Sequence, residues 1–316
     1  MASLFTKDML PSSTEEAIRS FDERYLGAVM AADPGDWAQQ FVFDTDSPRT
    51  TFPLSFVSTK YRETKEVTGR AETMESDSFD VSVVEFDAGY EASWLDLKTN
   101  SFAYRQWNQQ ASLFVMAERR HVSKELTALL ELGTSVTSPW DNVAFFSASH
   151  RANRKANSTT FSNYQSSALD PAVIANITAE ITSMKDVRDA NGDRLGVQPD
   201  EIWLPPQKFQ AVSNLLNQNF ISDGTTTITN PYLGKLTPRE LTDASDANDW
   251  YLVDSKLMGL LPPMVSMRYA APEMALSFLD ESSDHFKTTK KLKAMSHIFY
   301  GFGLVFPHAI RLVRGA

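Results

Sequence analysis

A chain of 316 residues with 42% hydrophobic and 22% charged residues can fold around one large core or two modest ones. It has no cysteine, which excludes disulfides, thiolate metal sites and cysteine nucleophiles and suits a reducing cytoplasm. Net charge is −10; residues 1–100 hold 19 acids and 9 bases and residues 101–316 hold 21 of each, so the first third carries the whole deficit and disfavours specific nucleic-acid binding.

The first residues lack a basic segment followed by an apolar run, so no signal peptide is expected. Residues 1–40 read as an arm. Ser12 or Ser13, followed by Glu15 and Glu16, is an N-cap pattern for a short helix over about 14–32, with Ile18, Phe21, Tyr25 and Val29 as its apolar positions. The turn residues Asp33, Pro34, Gly35 and Asp36 end it. Such a helix has no core of its own and must dock on something else.

Residues 45–96 are unusual. The stretch 57–67 is rich in β-branched residues yet charged on both faces; residues 79–83 alternate, and Val84, Glu85 and Phe86 shift the phase as a β-bulge would. They predict a long two-stranded hairpin, polar on both sides toward its tip. Isolated hairpins are marginally stable, so this one is either a mobile loop or lies on a surface that another chain provides.

Residues 100–132 contain neither glycine nor proline, and Tyr104, Trp107, Ala111, Val115, Val122, Leu126 and Leu129 recur at helical spacing. Thr99, Asn100 or Ser101 can cap the start and Gly133 the end. The predicted helix, about 101–132, is roughly 45 Å long, well beyond the common globular length.

A polar loop is expected over 151–167. Asp170-Pro171 starts a helix through Val173, Ile174, Ile177 and Ile181; Asn191-Gly192 is a turn; 201–204 is a buried strand; Pro205-Pro206 opens a helix through Phe209, Val212, Leu215 and Leu216. Short strands follow over 230–240, 250–253 and 264–269, giving a compact α+β domain over about 168–283. The chain continues in a long strand pattern over about 285–300, with Lys287, Lys290, Lys291 and Lys293 as its solvated side, and another over 310–314. The apolar stretch 296–310 is broken by Gly301, Gly303 and Pro307 and is too short to span a bilayer.

Catalytic signals are missing. The five histidines (His121, His150, His285, His297, His308) form no i, i+4 pair, and no phosphate-binding glycine loop or nucleophile elbow occurs. Residues 189–192 have calcium-loop character, but Val187 and Gln198 fall at both anchor positions, so a hairpin turn accounts for them. No catalytic residue, cofactor site or metal site is assigned.

The ordered set of arm, polar hairpin, long helix, α+β domain and returning strands resembles the HK97-type major capsid protein of tailed bacteriophages. The second half resembles the major head subunit of Mu-like phages, through residues 140–150 (WDNVAFFSASH), 196–206 (GVQPDEIWLPP), 230–234 (NPYLG), 250–254 (WYLVD) and 300–303 (YGFG). The resemblance implies an α+β fold with an N-arm (1–44), an extended E-loop (45–96), a P-domain (97–167 and 284–316, with the spine helix) and an A-domain (168–283). It implies self-assembly through hexamers and pentamers into a virion shell made in the host cytoplasm, with Phe21, Tyr25, Lys60, Arg62, Glu63, Lys65, Glu66, Arg70 and Glu72 as candidate inter-subunit contacts. Portal and decoration proteins, weak non-specific contact with packaged DNA, no membrane and no cofactor complete the expectation. Since few residues precede the first helix, a separate scaffold protein or none is expected. The family's cross-linking member joins an E-loop lysine to a P-domain asparagine with a glutamate's help; Lys60 and Lys65 could supply the lysine, but residues 285–316 contain neither Asn nor Glu, so no such bond is expected. Other readings are an encapsulin-like compartment and, in a different class, a soluble enzyme or binding module centred on 139–167 and His150.

Overall fold

The computed structural model describes residues 10–30, 37–54, 78–153, 159–189, 192–222, 227–269 and 276–315. In chain order the elements are α1 (Thr14–Met30), β1 (Val42–Thr45), β2 (Arg49–Pro53), β3 (Ser78–Ser82), β4 (Val84–Ser93), α2 (Trp94–Thr99), α3 (Ser101–Glu131), β5 (His150–Arg151), β6 (Thr160–Phe161), β7 (Tyr164–Gln165), α4 (Ile174–Met184), β8 (Glu201–Leu204), α5 (Pro206–Asn217), β9 (Phe220–Ser222), β10 (Thr227–Thr229), β11 (Thr237–Glu240), β12 (Trp250–Val253), α6 (Ser255–Met258), β13 (Met264–Tyr269), β14 (Leu276–Leu279), α7 (Asp284–Thr289), β15 (Lys291–Leu304) and β16 (Ile310–Val313). Contacts divide the chain into two compact units. The first holds residues 1–49, 82–123 and 266–301, the second 50–81, 124–265 and 302–316.

In the first unit, α1 starts as its sequence requires. The Ser13 hydroxyl accepts from the Glu16 amide at 3.2 Å, and the Glu16 carboxylate accepts from the Ser12 amide and hydroxyl at 2.7 and 2.8 Å. Ala17, Phe21 and Tyr25 turn inward. The Phe21 ring lies 4.9 Å from Trp107 and 5.8 Å from Phe114, while the Trp107 indole N–H donates to the Ala17 carbonyl at 3.1 Å. The arm helix therefore docks on the long helix of its own chain. β15 is the centre of the unit's sheet, paired antiparallel with β4 over ten residues and with β14, in the order β1-β13-β15-β14. Strand alternation points Tyr90, Ala92, Leu292 and Ala294 toward the helices, where they join the core around Phe21 and Trp107.

In the second unit the sheet order is β11-β8-β12-β16-β7. Its inner strands are covered on both faces: Trp250–Val253 is a continuous apolar run, and Ile310–Val313, which includes Arg311, is likewise buried throughout. α4 and α5 contribute Ile177, Ile181, Val212 and Leu216 to this core. Arg311 pairs with Glu180 at 2.7 Å, both nearly excluded from solvent, and Gln165 donates to the same carboxylate at 3.1 Å.

Several expectations are corrected. The phase shift at 84–86 is no bulge: β3 pairs with β2, the Val83 amide donates to Pro48, and the chain then changes partner to β15. Residues 55–77, with most of the expected hairpin, lie outside the described residues, as do Asp33 to Asp36 and Asn191. Gly133 is not a left-handed cap. It sits in the 3₁₀ turn Leu132–Thr134, and glycine is required there because an added Cβ would come within 2.5 Å of the Phe146 ring. Leu130 rather than Leu129 is buried at the end of α3.

The expected loop 151–167 contains β6, β7 and the end of β5, since β7 extends the sheet beside β16. Asp170 caps a turn, accepting from the Ala172 amide at 3.1 Å, and α4 begins only at Ile174, leaving Val173 exposed. Residues 230–236 are turns rather than strand: the Asn230 side chain donates to the carbonyls of Leu215, Leu216 and Gln218 and closes α5. The strand expected from 285 begins at Lys291, after α7, whose N-cap is the Ser283 hydroxyl and whose end is Lys290 at φ 57°. Lys287 is thus helical. The 168–283 region does not close its own sheet, because β7 and β16 complete it and β13 pairs in the other unit's sheet.

Candidate assembly surface

Among the described residues, the histidine–carboxylate arrangement in the 139–167 segment is internal. His150 Nδ1 is 2.9 Å from Asp141 and Nε2 is 2.9 Å from the Phe145 carbonyl, with both side chains fully buried. Burial pulls the Asp141 carboxyl upward, but the bonds from His150 and from the Arg151 and Val143 amides outweigh it and hold it below the usual carboxylate range. His308 shares this interior, 4.9 Å from the Trp140 ring and 4.8 Å from Phe161. Burial and the neighbouring His150 lower its pKa to about 3, against the pull of Asp141. Neither ring is reachable by a substrate, so His150 is a packed structural histidine. Among the described residues no group of three or more His, Asp or Glu could hold a metal ion, and no helix is long and apolar enough to cross a membrane.

The surface is more informative. α3 buries Trp107, Ala111, Phe114, Val115 and Val122 on one side. Its opposite side presents Phe102, Gln106, Gln109, Leu113 and Met116 at alternating four- and three-residue steps, the spacing of one helical ridge. Phe102 and Met116 are each 64% exposed and Leu113 is 47% exposed. Residues 101–117 carry one charge, Arg105, where a solvated helix face would carry several. Three exposed large apolar side chains on an almost uncharged helix face make this ridge the candidate interaction surface. The sequence signal was present as that run without charges; the buried ridge of the same helix drew the reading instead.

Two polar contacts tie elements of the first unit together, β15 to α3 and β13 to β1. The Tyr300 hydroxyl donates to Glu118 at 2.8 Å, and Arg268 grips Asp44 at 2.6 and 3.1 Å. Burial and the Glu118 charge push the Tyr300 hydroxyl up, and the Asp44 bond favours the charged form of Arg268.

Of the contact residues expected from sequence, Phe21 and Tyr25 are buried in the core of their own protomer. Lys60, Arg62, Glu63, Lys65, Glu66, Arg70 and Glu72 lie outside the described residues.

The phage capsid protein family model matches residues 76–310, about three quarters of the chain. The chain belongs to the phage capsid protein family. No curated protein matches it. Among solved structures it is similar to a chain from the procapsid of bacteriophage JBD30, with a TM-score of 0.52 and 11% identity over 96% of this chain and 75% of that one. It is also similar to a chain from Mycobacterium phage Patience, with a TM-score of 0.51 and 12% identity over 100% and 94% of the two chains. At such identities the likeness establishes the fold, which is the α+β, HK97-like fold of phage capsid proteins. This phage capsid protein is a shell protein of the virion.

Proposed function

We propose that copies of this chain close through hexamers and pentamers into an icosahedral head around a phage genome, in a structural and non-catalytic role. The observation that carries this reading is the uncharged ridge Phe102–Leu113–Met116 on a chain of capsid fold: a tiling subunit needs apolar surface that only its neighbours cover. Residues 1–44 would act as the arm, 45–96 as the extended loop, 97–167 with 284–316 as the peripheral domain, and 168–283 as the axial domain. Residues 60–72, with mixed charge, would supply further contacts to adjacent copies. Within the family, the segments 140–150 and 196–206 support a place beside the Mu-like head subunits. The acidic balance supports weak, non-specific contact with packaged DNA, and scaffold, portal and decoration proteins would be its other partners.

Expression of the full chain, alone and with the other head proteins of its phage, followed by electron microscopy tests the reading. Closed shells with DNA inside them after packaging support it; a monodisperse monomer or dimer under both conditions overturns it. Shells that enclose a cargo protein and no DNA would favour the encapsulin-like alternative.

A further inference from the structure

β4 is fastened along one side and open along the other. In the sheet of the first unit it pairs with β15 alone, over ten residues in continuous antiparallel register. The Trp94 amide, next along the chain, donates to the Lys290 carbonyl at 3.0 Å, so the hydrogen-bonded pairs of this register fall on the even-numbered residues of β4. The N–H and C=O groups of Glu85, Asp87, Gly89 and Glu91 therefore point away from β15. The Val83 amide, of the same parity, donates to the Pro48 carbonyl at 3.0 Å and covers this edge only at its start. Among the described residues no backbone group pairs with the four that follow. Four donors and four acceptors thus line an edge roughly 20 Å long.

Long sheet edges are normally blunted by lysine, proline or a bulge. Residues 84–93 contain no lysine, arginine or proline, and their register with β15 is unbroken. They carry three acids instead, Glu85, Asp87 and Glu91, all exposed. Strand alternation sets these acids on the face opposite Phe86, Tyr90 and Ala92, which turn toward the helices. β15 shows what suits that face: Lys293 stands opposite Glu91, and Lys291 reaches Glu91 at 3.3 Å. A second copy of β4 laid along the edge would set acids against acids, which is repulsive. Among the described residues the only lysines or arginines two positions apart are Lys291 and Lys293, already placed in the sheet by β15.

We propose that the outer edge of β4 docks an extended segment of a separate polypeptide, with lysine or arginine at alternate positions, as an added strand of the sheet. The outward backbone groups of Glu85, Asp87, Gly89 and Glu91 supply the affinity, and the row of three acids selects for bases. Because β15 and the core around Phe21 and Trp107 hold β4 in place, the edge is presented ready-made and little ordering is needed on this side. The site belongs to the protomer and stands whether or not copies close into shells.

The test uses the unassembled full-length protein and a capped peptide of about nine residues in which lysine alternates with threonine and valine. Binding is read by fluorescence anisotropy, and its place by hydrogen-exchange mass spectrometry. The peptide should bind and bring protection to the outward amides of residues 84–93. A peptide of the same composition with its lysines grouped at one end, and one with glutamate in place of lysine, should each bind about tenfold more weakly or worse. Gly89→Pro removes one outward donor and leaves the bonds to β15 in place, its new Cβ first meeting the flexible Lys293 side chain at 3.4 Å, and it should weaken binding as much. Should that variant fail to fold, the exposed D87K serves instead: it should weaken the lysine peptide and strengthen the glutamate one. No binding, equal binding by the grouped peptide, or binding without new protection over 84–93 overturns the proposal. Protection there that appears on concentrating the protein alone would seat a second copy on the edge and overturn the assignment to a separate polypeptide.

Discussion

The Phe21 ring sits 4.9 Å from Trp107, and through that contact the arm helix α1 becomes part of the core built on α3. Phe21 is fully buried and also meets Phe278 edge-on at 5.7 Å. Phe21→Ala should therefore cost about 3–5 kcal/mol, from lost burial and the cavity left behind. Urea denaturation followed by tryptophan fluorescence measures it, and hydrogen exchange should show protection lost first over 14–30.

Acid should destabilise the second unit through His308. Its folded pKa of about 3 lies below the usual value of 6.5, so the unfolded chain takes up the proton first as pH falls. Stability is then lost progressively from about pH 6.5 toward pH 3, by up to roughly 1.4 kcal/mol per pH unit. His308→Leu should flatten that slope in urea titrations at pH 7, 5.5 and 4.5. An equal slope in the variant would assign the acid sensitivity to other groups.

The buried pair Arg311–Glu180 joins β16 to α4. Glu180→Ala leaves a guanidinium in the interior without its carboxylate and should cost about 3–5 kcal/mol. Replacing both partners by Leu and Met should recover much of that loss, which a double-mutant comparison of denaturation midpoints would reveal.

Leu113→Glu with Met116→Glu should leave the protomer's melting temperature nearly unchanged, since both side chains are exposed. Shell formation should fall by tenfold or more, because the charges would be desolvated wherever a neighbour covers the ridge. Light scattering during assembly, beside calorimetry of the unassembled protein, separates the two effects.

Denaturing gels of mature particles should show one band near the chain mass of 35.4 kDa, since residues 285–316 offer neither Asn nor Glu for an isopeptide bond. A ladder of covalent multimers would refute this.

Local chemistry made much of the fold legible. The uninterrupted helical spacing around Trp107 and Leu126 gave α3 to within a residue at its C-terminal end, and Ser12, Ser13 and Glu16 gave the start of α1. What sequence spacing could not convey was non-local. Two-residue strands such as Tyr164–Gln165 have no periodicity; they exist because β16 offers an edge. The shift at Val84 looked like a bulge because one strand changing partners and one strand bulging produce the same phase slip. Gly133 was assigned to a cap because its real constraint, the ring of Phe146, lies elsewhere in the chain. His150 resembled a reactive group until its bonds to Asp141 and Phe145 placed it in the interior. The uncharged ridge from Phe102 to Met116 was visible in composition yet overshadowed by the ridge that fills the core.

The run from Lys291 to Val313 supplies the central strand of one sheet and an inner strand of the other. Neither sheet can be completed until the ribosome has synthesised that run, however early the long helix emerges. Nascent chains and prematurely terminated products would therefore lack both finished sheets.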